Sequence, residues 1–182
     1  MGGFFVRKFN NSKIFRVVII SILIAMQIVL SRLLSINLTY LKIGFSFIPL
    51  MFAAYLYGPA GGVIVATVSD LIGAIAMPSG PFFPGFTVTA ALSGFIFGLT
   101  FHKNLSTPKI VAGVIANEVI CSLLLNTLWL SILYTSAFSV LITSRIWQCI
   151  VMATIQIAFA EVFFHRLKIA KKLKVEVLRK EK

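Results

Sequence analysis

Polar and charged side chains inside otherwise apolar stretches are the residues with the greatest chemical capacity in this chain. A polar group in apolar surroundings gives up its hydrogen bonds to water, so it needs a partner in the protein or in a ligand. Arginine offers a rigid fork of donors that suits a carboxylate, and asparagine offers a donor and an acceptor to the edge of a heterocycle. These side chains are Arg32, Lys42, Asp70, Asn117, Glu118, Asn126, Thr127, Arg145, Gln148 and Gln156.

Each of these groups could instead hold neighbouring helices together through an ion pair or a hydrogen bond. For Gln148 and Gln156 this structural role is the favoured interpretation. For Asp70 and Glu118, which lie deep in their apolar segments, a structural role and a ligand contact are equally compatible with the sequence. Arg145 and Asn126 lie close to the ends of neighbouring segments, and for them we favour a ligand site.

The residue sets that hydrolytic membrane enzymes need are missing from the sequence. An intramembrane aspartyl protease uses two aspartates, and this chain has Asp70 alone. Ala91-Leu92-Ser93-Gly94 departs from the Gly-x-Ser-Gly pattern of a rhomboid-type serine protease. No cluster has metal-ligand spacing, and no Gly-rich loop ends in Gly-Lys-Ser/Thr. The sequence therefore predicts no catalytic residue, no metal and no cofactor.

The composition places these polar groups in a membrane protein. Apolar residues make up 59% of the 182 residues, whereas soluble domains have about 45–50%. The net charge of +12 does not indicate nucleic-acid binding, because the basic residues cluster at the two ends of the chain as membrane topology requires. Cys121 and Cys149 fall in apolar stretches and are interpreted as small buried side chains.

Six apolar segments predict an all-α, integral membrane bundle of six transmembrane helices in a single domain, 1–182. Pro49 is expected to kink the second helix, and Gly58-Pro59-Ala60-Gly61-Gly62 is expected to form a tight turn. The segments are 15–34, 42–57, 62–76, 86–101, 110–134 and 144–164, followed by a basic cytoplasmic tail at 165–182.

The distribution of Lys and Arg predicts the orientation of this bundle. With six crossings, 14 of the 17 basic residues lie on one side, which marks that side and both termini as cytoplasmic. Arg32, Lys42 and Arg145 remain near the outer face, where they would suit an anionic ligand. The charge-free run Phe82-Phe83-Pro84-Gly85-Phe86 lies on the same side, as a stiff aromatic lid or an interfacial belt.

The order of several short motifs resembles the S components of energy-coupling factor (ECF) transporters, over about residues 15–164. The motifs are Leu30-Ser31-Arg32, Lys42-Ile43-Gly44-Phe45-Ser46-Phe47-Ile48-Pro49, Tyr57-Gly58-Pro59-Ala60-Gly61-Gly62, Asp70-Leu71-Ile72-Gly73 and Phe82-Phe83-Pro84-Gly85-Phe86-Thr87. Two further series, Asn126-Thr127-Leu128-Trp129-Leu130 and Ser144-Arg145-Ile146-Trp147, resemble the folate-specific branch.

The resemblance implies a subunit of the bacterial cell membrane that captures folate at its outer face. Its expected partners are a transmembrane coupling protein, two cytoplasmic ATPases and the lipid bilayer. It implies Phe83, Phe86, Asn126, Trp129 and Arg145 as substrate contacts, and the polar groups above add Thr127, Arg32, Lys42 and Asp70. Ser21 and Ala25 correspond to the small residues, four apart, that contact the coupling protein in this family.

Other functions stay open at this stage. The main alternative is an S component for another flat vitamin or a nucleobase-like compound. A neutral or cationic ligand would make the three basic residues near the outer face needless. A channel or facilitator should show inverted repeats or a continuous polar stripe, and neither is apparent. A membrane enzyme lacks catalytic residues, and a scaffold protein would not require a stiff aromatic loop beside Arg145.

Overall fold

A computed structural model describes residues 13–37, 42–78, 80–102, 105–135 and 138–180, and within these ranges the backbone is almost entirely helical. The all-α class is therefore confirmed, with one two-residue antiparallel pairing added to it, in which Ile36 lies opposite Ile43. In chain order the elements are α1 (Lys13–Arg32), β1 (Ile36–Asn37), β2 (Lys42–Ile43), α2 (Phe47–Ala76), α3 (Pro84–Phe101), α4 (Thr107–Asn117), a π-helical segment (Glu118–Leu125), α5 (Asn126–Tyr134) and α6 (Phe138–Lys180).

Five helices in the described part of the chain are long and apolar enough to cross a membrane. A crossing of the hydrocarbon core, about 30 Å thick, takes about 20 residues of helix. Three of the five are α1, α2 and α3. The other two are Thr107–Tyr134, which joins α4, the π-helical segment and α5, and Leu141–Phe164 within α6.

The 30-residue helix α2 is broken at Gly58, where φ is 69° and ψ is −157°. Ala53 and Val65 lie on either side of the break in one buried cluster with Leu23 of α1. Twelve residues of straight helix would separate them by about 18 Å, so the chain must reverse at Gly58. The predicted turn is therefore present, but the helix resumes at Pro59 rather than at residue 62.

Two predictions for the second apolar segment are wrong. Lys42 does not begin a helix, since it pairs with Asn37 in the short β-ladder, and α2 starts at Phe47. Pro49 does not kink the helix either. It is the third residue of α2, where a backbone N–H has no acceptor within the helix and its loss costs nothing.

The last helix is longer than the sequence predicts. It was expected at 144–164, and α6 runs from Phe138 to Lys180. The tail predicted at 165–182 is helical as far as Lys180. Its side chains lie outside the described part of the chain.

The buried core joins α2, α3, α4 and α6. The backbones of α2 and α3 touch where Gly62 meets Gly94 and where Pro59 meets Gly98, so a Cβ added to Gly94 or Gly98 would overlap the facing backbone. Next to this contact, the Phe101 and Phe164 rings stack with centroids 5.0 Å apart. The close approach leaves no room for side chains between the two helices and fixes their relative position.

Replacing Gly58 with alanine should destabilise the fold. Its φ and ψ lie in a region that is essentially restricted to glycine, and strain of this kind costs about 1–3 kcal/mol. A Cβ there would also come 3.1 Å from the His102 ring. We expect the thermal unfolding midpoint of Gly58→Ala in detergent to fall by several degrees. Gly80→Ala is the matched control, since a Cβ there comes within 4 Å of one described side chain, Tyr134, whose Oη would lie 3.6 Å away. Equal midpoints for the two variants would contradict the strained turn.

Candidate functional site

A cavity of about 450 Å³ lies between the helices and brings together most of the predicted site residues. Pockets that hold drug-sized ligands commonly measure about 300–1,000 Å³. We call the end of the cavity at residues 80–83 and Tyr134 the loop end, and the end at Glu118 and Gln156 the core end. The predicted residues that line the cavity are Arg32, Asp70, Phe83, Phe86, Asn126 and Arg145.

Aromatic side chains surround the loop end. Pro84 is the first residue of α3, a position that suits proline, and Phe83 caps the helix in an extended conformation. This puts Phe83 and Phe86 on the same side of the cavity with ring centroids 6.1 Å apart and planes at 76°. The loop end therefore offers flat apolar faces to a ring-shaped ligand.

Trp129 supports this aromatic wall and is not among the residues that line the cavity. Its Nε1 donates a hydrogen bond to Thr89 Oγ1 at 2.9 Å, and its ring lies 5.5 Å from the Phe83 ring. Thr127 is fully buried and likewise does not line the cavity. Trp129 therefore supports the wall from behind, and Thr127 is buried outside the cavity lining.

Arg32 and Asp70 form an ion pair across the ends of α1 and α2, with Nη2 and Oδ1 3.8 Å apart. Thr87 Oγ1 donates to the other carboxylate oxygen of Asp70 at 2.8 Å. Asp70 therefore links three helices. The positive charge of Arg32, predicted to suit an anionic ligand, is offset by a carboxylate of the protein.

Arg145 reaches from α6 to the π-helical segment. Its side chain is 6% exposed, and Nη2 donates to the backbone carbonyl of Ser122 at 3.1 Å. Arg145 also lines the cavity. The guanidinium is thus held in place by the backbone, in a position where a ligand can reach it.

Glu118, Asn117 and Gln156 form the core end and are not among the predicted site residues. They line the cavity, and Gln156 Nε2 donates to Glu118 Oε1 at 2.7 Å. All three had been recognised as polar groups inside apolar segments. What the sequence could not indicate was that α6 brings Gln156 next to Glu118, 38 residues away in the chain.

The π-helical segment keeps one side of the chain facing the cavity. An α-helix has about 3.6 residues per turn, so a four-residue step overshoots a full turn by about 40°. A π-helix has about 4.4 residues per turn because of its i→i+5 bonding, and the same step falls short by about 33°. The two drifts offset one another between Glu118 and Tyr134. Glu118, Ser122, Asn126 and Leu130 consequently all line the cavity.

The other predicted residues, Lys42, Ser21 and Ala25, do not line the cavity within the described part of the chain. Lys42 belongs to β2, and its side chain lies outside the described part of the chain. Ser21 and Ala25 are exposed on α1, whose only buried residue is Leu23. The Ser21 hydroxyl donates to the carbonyl of Val17 at 2.9 Å within its own helix, so the two residues present a smooth, small surface.

Comparison with protein families decides what kind of protein carries this cavity. The family described as "ECF transporter, substrate-specific component" matches residues 15–164. The chain belongs to this family. As an ECF substrate-specific component, it is the substrate-binding subunit of a transporter and not an enzyme, and the resemblance to the S components is confirmed.

Individual relatives of this ECF component are folate and riboflavin transporters. Folate transporter FolT of Clostridium novyi is 37% identical over 125 residues, which are 68% of this chain and 73% of the relative. Folate transporter FolT of Leuconostoc mesenteroides is 32% identical over 79% of this chain and 80% of its own length. Riboflavin transporter RibU of Staphylococcus aureus is 29% identical over 67% of each chain.

Solved structures agree with this assignment. A crystal structure of FolT bound with folic acid superposes with a TM-score of 0.73 at 29% identity, over 79% of this chain and 87% of that one. The structure of the S component of a bacterial ECF transporter gives a TM-score of 0.58 at 24% identity. It covers 86% of this chain and 99% of its own, and at that identity it supports the fold alone.

The contacts of Trp129 predict a difference between the two tryptophans of this ECF component. Trp129→Phe removes the hydrogen bond to Thr89 and leaves a void beside Phe83, so it should lower the free energy of unfolding by about 1–3 kcal/mol. Trp147→Phe is the control, because Trp147 is 72% exposed. Thermal unfolding of the ligand-free variants in detergent measures both. A larger loss for Trp147→Phe would show that Trp129 does not support the wall.

Proposed function

We propose that this ECF component captures folate in the cavity and delivers it inward together with a transmembrane coupling protein and two ATPases. The observation that carries the proposal is the cavity itself, which combines aromatic faces at its loop end with Arg145 and Glu118 farther in. Two relatives above 30% identity are folate transporters, and a structurally similar FolT was crystallised with folic acid.

The chemistry of folate fits the distribution of groups along the cavity. Folate has a flat pterin, a benzoyl ring and a glutamate with two carboxylates. The lining residues from Glu118 to Tyr134 extend over about four turns of helix, which is enough for an elongated molecule of this kind. Phe83 and Phe86 can stack on a ring, and Asn126 can hydrogen-bond to a polar edge or amide.

Arg145 is the residue that we assign to a carboxylate of folate. Arginine pairs with carboxylates through two parallel hydrogen bonds, and the Ser122 carbonyl already orients this guanidinium. Arg32 is a weaker candidate for a contact with a folate carboxylate, because Asp70 neutralises its charge. Lys42 stays in the proposed set because its positive charge suits the same carboxylates. Trp129 contributes by supporting Phe83, and Thr127, which is buried outside the cavity lining, stays in the proposed set.

The membrane arrangement that we propose has six crossings, a single domain and both termini in the cytoplasm of a bacterial cell. The reversal at Gly58 divides α2 into two helical arms, which supports two crossings in place of one. With six crossings, 14 of the 17 basic residues lie on the same side of the membrane, which supports a cytoplasmic location for that side. The cavity would open outward at its loop end. The exposed residues Ser21 and Ala25 on α1 would contact the coupling protein, since small residues allow helices to approach closely.

Cysteine labelling in intact cells tests this topology. Thr135→Cys, between α5 and α6, should react with a membrane-impermeant maleimide added from outside. Ser106→Cys, before α4, should react only after lysis. Both positions are exposed, whereas the native Cys121 and Cys149 are buried and should give little background. The opposite labelling pattern would invert the orientation, and labelling of both from outside would contradict the six crossings.

Binding of folic acid to the purified subunit tests the function and the role of Arg145. We expect wild-type protein to bind folic acid tightly in detergent without any ATPase, and Arg145→Ala to bind about 100-fold more weakly, because a charge-assisted pair is lost. Arg16→Ala is the control, since Arg16 is exposed on α1 and outside the cavity. Isothermal titration calorimetry measures all three affinities.

The same experiment separates folate from the alternative substrate class. Riboflavin and thiamine are included because a riboflavin transporter is also a relative. Tight binding of riboflavin with no binding of folic acid would replace the folate proposal with a different flat vitamin. An unchanged affinity of Arg145→Ala for folic acid would remove the carboxylate role from Arg145 alone.

A further inference from the structure

The core end of the cavity carries a buried carboxylate, one oxygen of which is not hydrogen-bonded by the described residues. Glu118 is 6% exposed and accepts one hydrogen bond, from Gln156. Its second oxygen, Oε2, accepts none within the described part of the chain. Ser122 and Cys149 lie beside the carboxylate, and the Arg145 guanidinium is near enough to attract it.

A second acceptor lies next to Glu118. Asn117 is 6% exposed, lines the cavity, and its Oδ1 accepts no hydrogen bond from the described residues. The cavity lining also includes the apolar residues Leu50, Phe97 and Met152, which can donate nothing. Buried acceptors without donors are costly. Glu118 Oε2 and Asn117 Oδ1 are therefore acceptors that the donors of a ligand can fill.

We propose that Glu118, assisted by Asn117, binds the donor edge of a pterin, namely the ring N3–H and the neighbouring 2-amino group. This inference rests on the proposed folate function and adds the residue that selects the ring. The two parallel N–H groups of a 2-amino-4-oxo pyrimidine match a carboxylate as a guanidinium does. An ionised carboxylate accepts through about four lone-pair sites, so Gln156 leaves room for both bonds.

The acid at the core end then orients the ligand. The Arg145 guanidinium reaches the carbonyl of Ser122, one helical turn from Glu118 in the direction of the loop end. A folate that enters ring first places its donor edge on the acid and its glutamate carboxylates towards the loop end. The reverse orientation would set carboxylates against Glu118. Phe83 and Phe86 would then stack on the benzoyl ring, nearer the loop end than the pterin.

This assignment predicts that the protein recognises the 2-amino group of the ring. A carboxylate satisfies two adjacent donors, and a carbonyl in place of the 2-amino group would set acceptor against acceptor. Glutamine presents one acceptor and one donor, which matches a ring N–H beside a carbonyl. Glu118→Gln should therefore change the preference between the two rings and not only the overall affinity.

The experiment compares folic acid with 2-deamino-2-hydroxyfolic acid, which has a carbonyl at that position and the same glutamate tail. Calorimetry on the purified full-length subunit should show wild type binding folic acid about 100-fold more tightly than the analogue. In Glu118→Gln we expect folic acid affinity to fall about 100-fold and the preference to drop below about 10-fold. Glu161→Gln is the matched control, because Glu161 pairs with Thr107 outside the cavity lining.

Each result decides the inference. Equal affinities of wild type for the two ligands overturn it without any mutation, so it does not depend on the stability of Glu118→Gln. Loss of both ligands by the same factor in Glu118→Gln gives Glu118 a structural role only and also overturns it. If Glu118→Gln binds folic acid tightly and keeps the wild-type preference for it over the analogue, the folate proposal stands and Glu118 does not bind the ring. No binding of folic acid by folded wild-type protein overturns the function and this inference together.

Discussion

The contact between the backbones of α2 and α3 is the constraint on which the rest of the molecule depends. Gly62 and Gly94 touch without side chains between them, and the nearby turn at Gly58 sends α2 back along its own path. This rigid pair positions Asp70 against Thr87 and carries Phe83 and Phe86 to the loop end of the cavity. A methyl group at the contact would push the helices apart and open the wall.

The same helix arrangement determines how the polar side chains within the helices are satisfied. In hydrocarbon, a buried polar group must find a partner within the protein or face a cavity. Asp70 with Arg32 satisfies the first condition, and Asn117 at the core end exemplifies the second. The π-helical segment lets residues on four successive turns face the cavity, because it cancels the angular drift of the α-helix that follows it. The cavity and the polar groups that line it therefore depend on each other.

The site was only partly predictable from residue types. Arg145, Asn126, Phe83 and Phe86 do line one cavity, and they had been selected from motif order and chemical type. Trp129 lies next to the cavity but behind Phe83. The sequence does not indicate whether a residue faces the cavity or lies behind a residue that does. Gln156 was assigned a structural role because nothing in the sequence indicated that it faces Glu118. Arg32 was assigned to a ligand before its pairing with Asp70 was visible.

The sequence by itself determined the membrane class, the helical composition, the break at Gly58 and the family, because apolar segment length, proline and glycine act locally. It misplaced the start of α2, since Lys42 pairs with Asn37 and such pairing is decided by contact between segments. The tertiary structure alone decided which polar groups meet. An ion pair or a cavity depends on the rotation of each helix about its axis, and packing against neighbours, here glycine on glycine, sets that rotation.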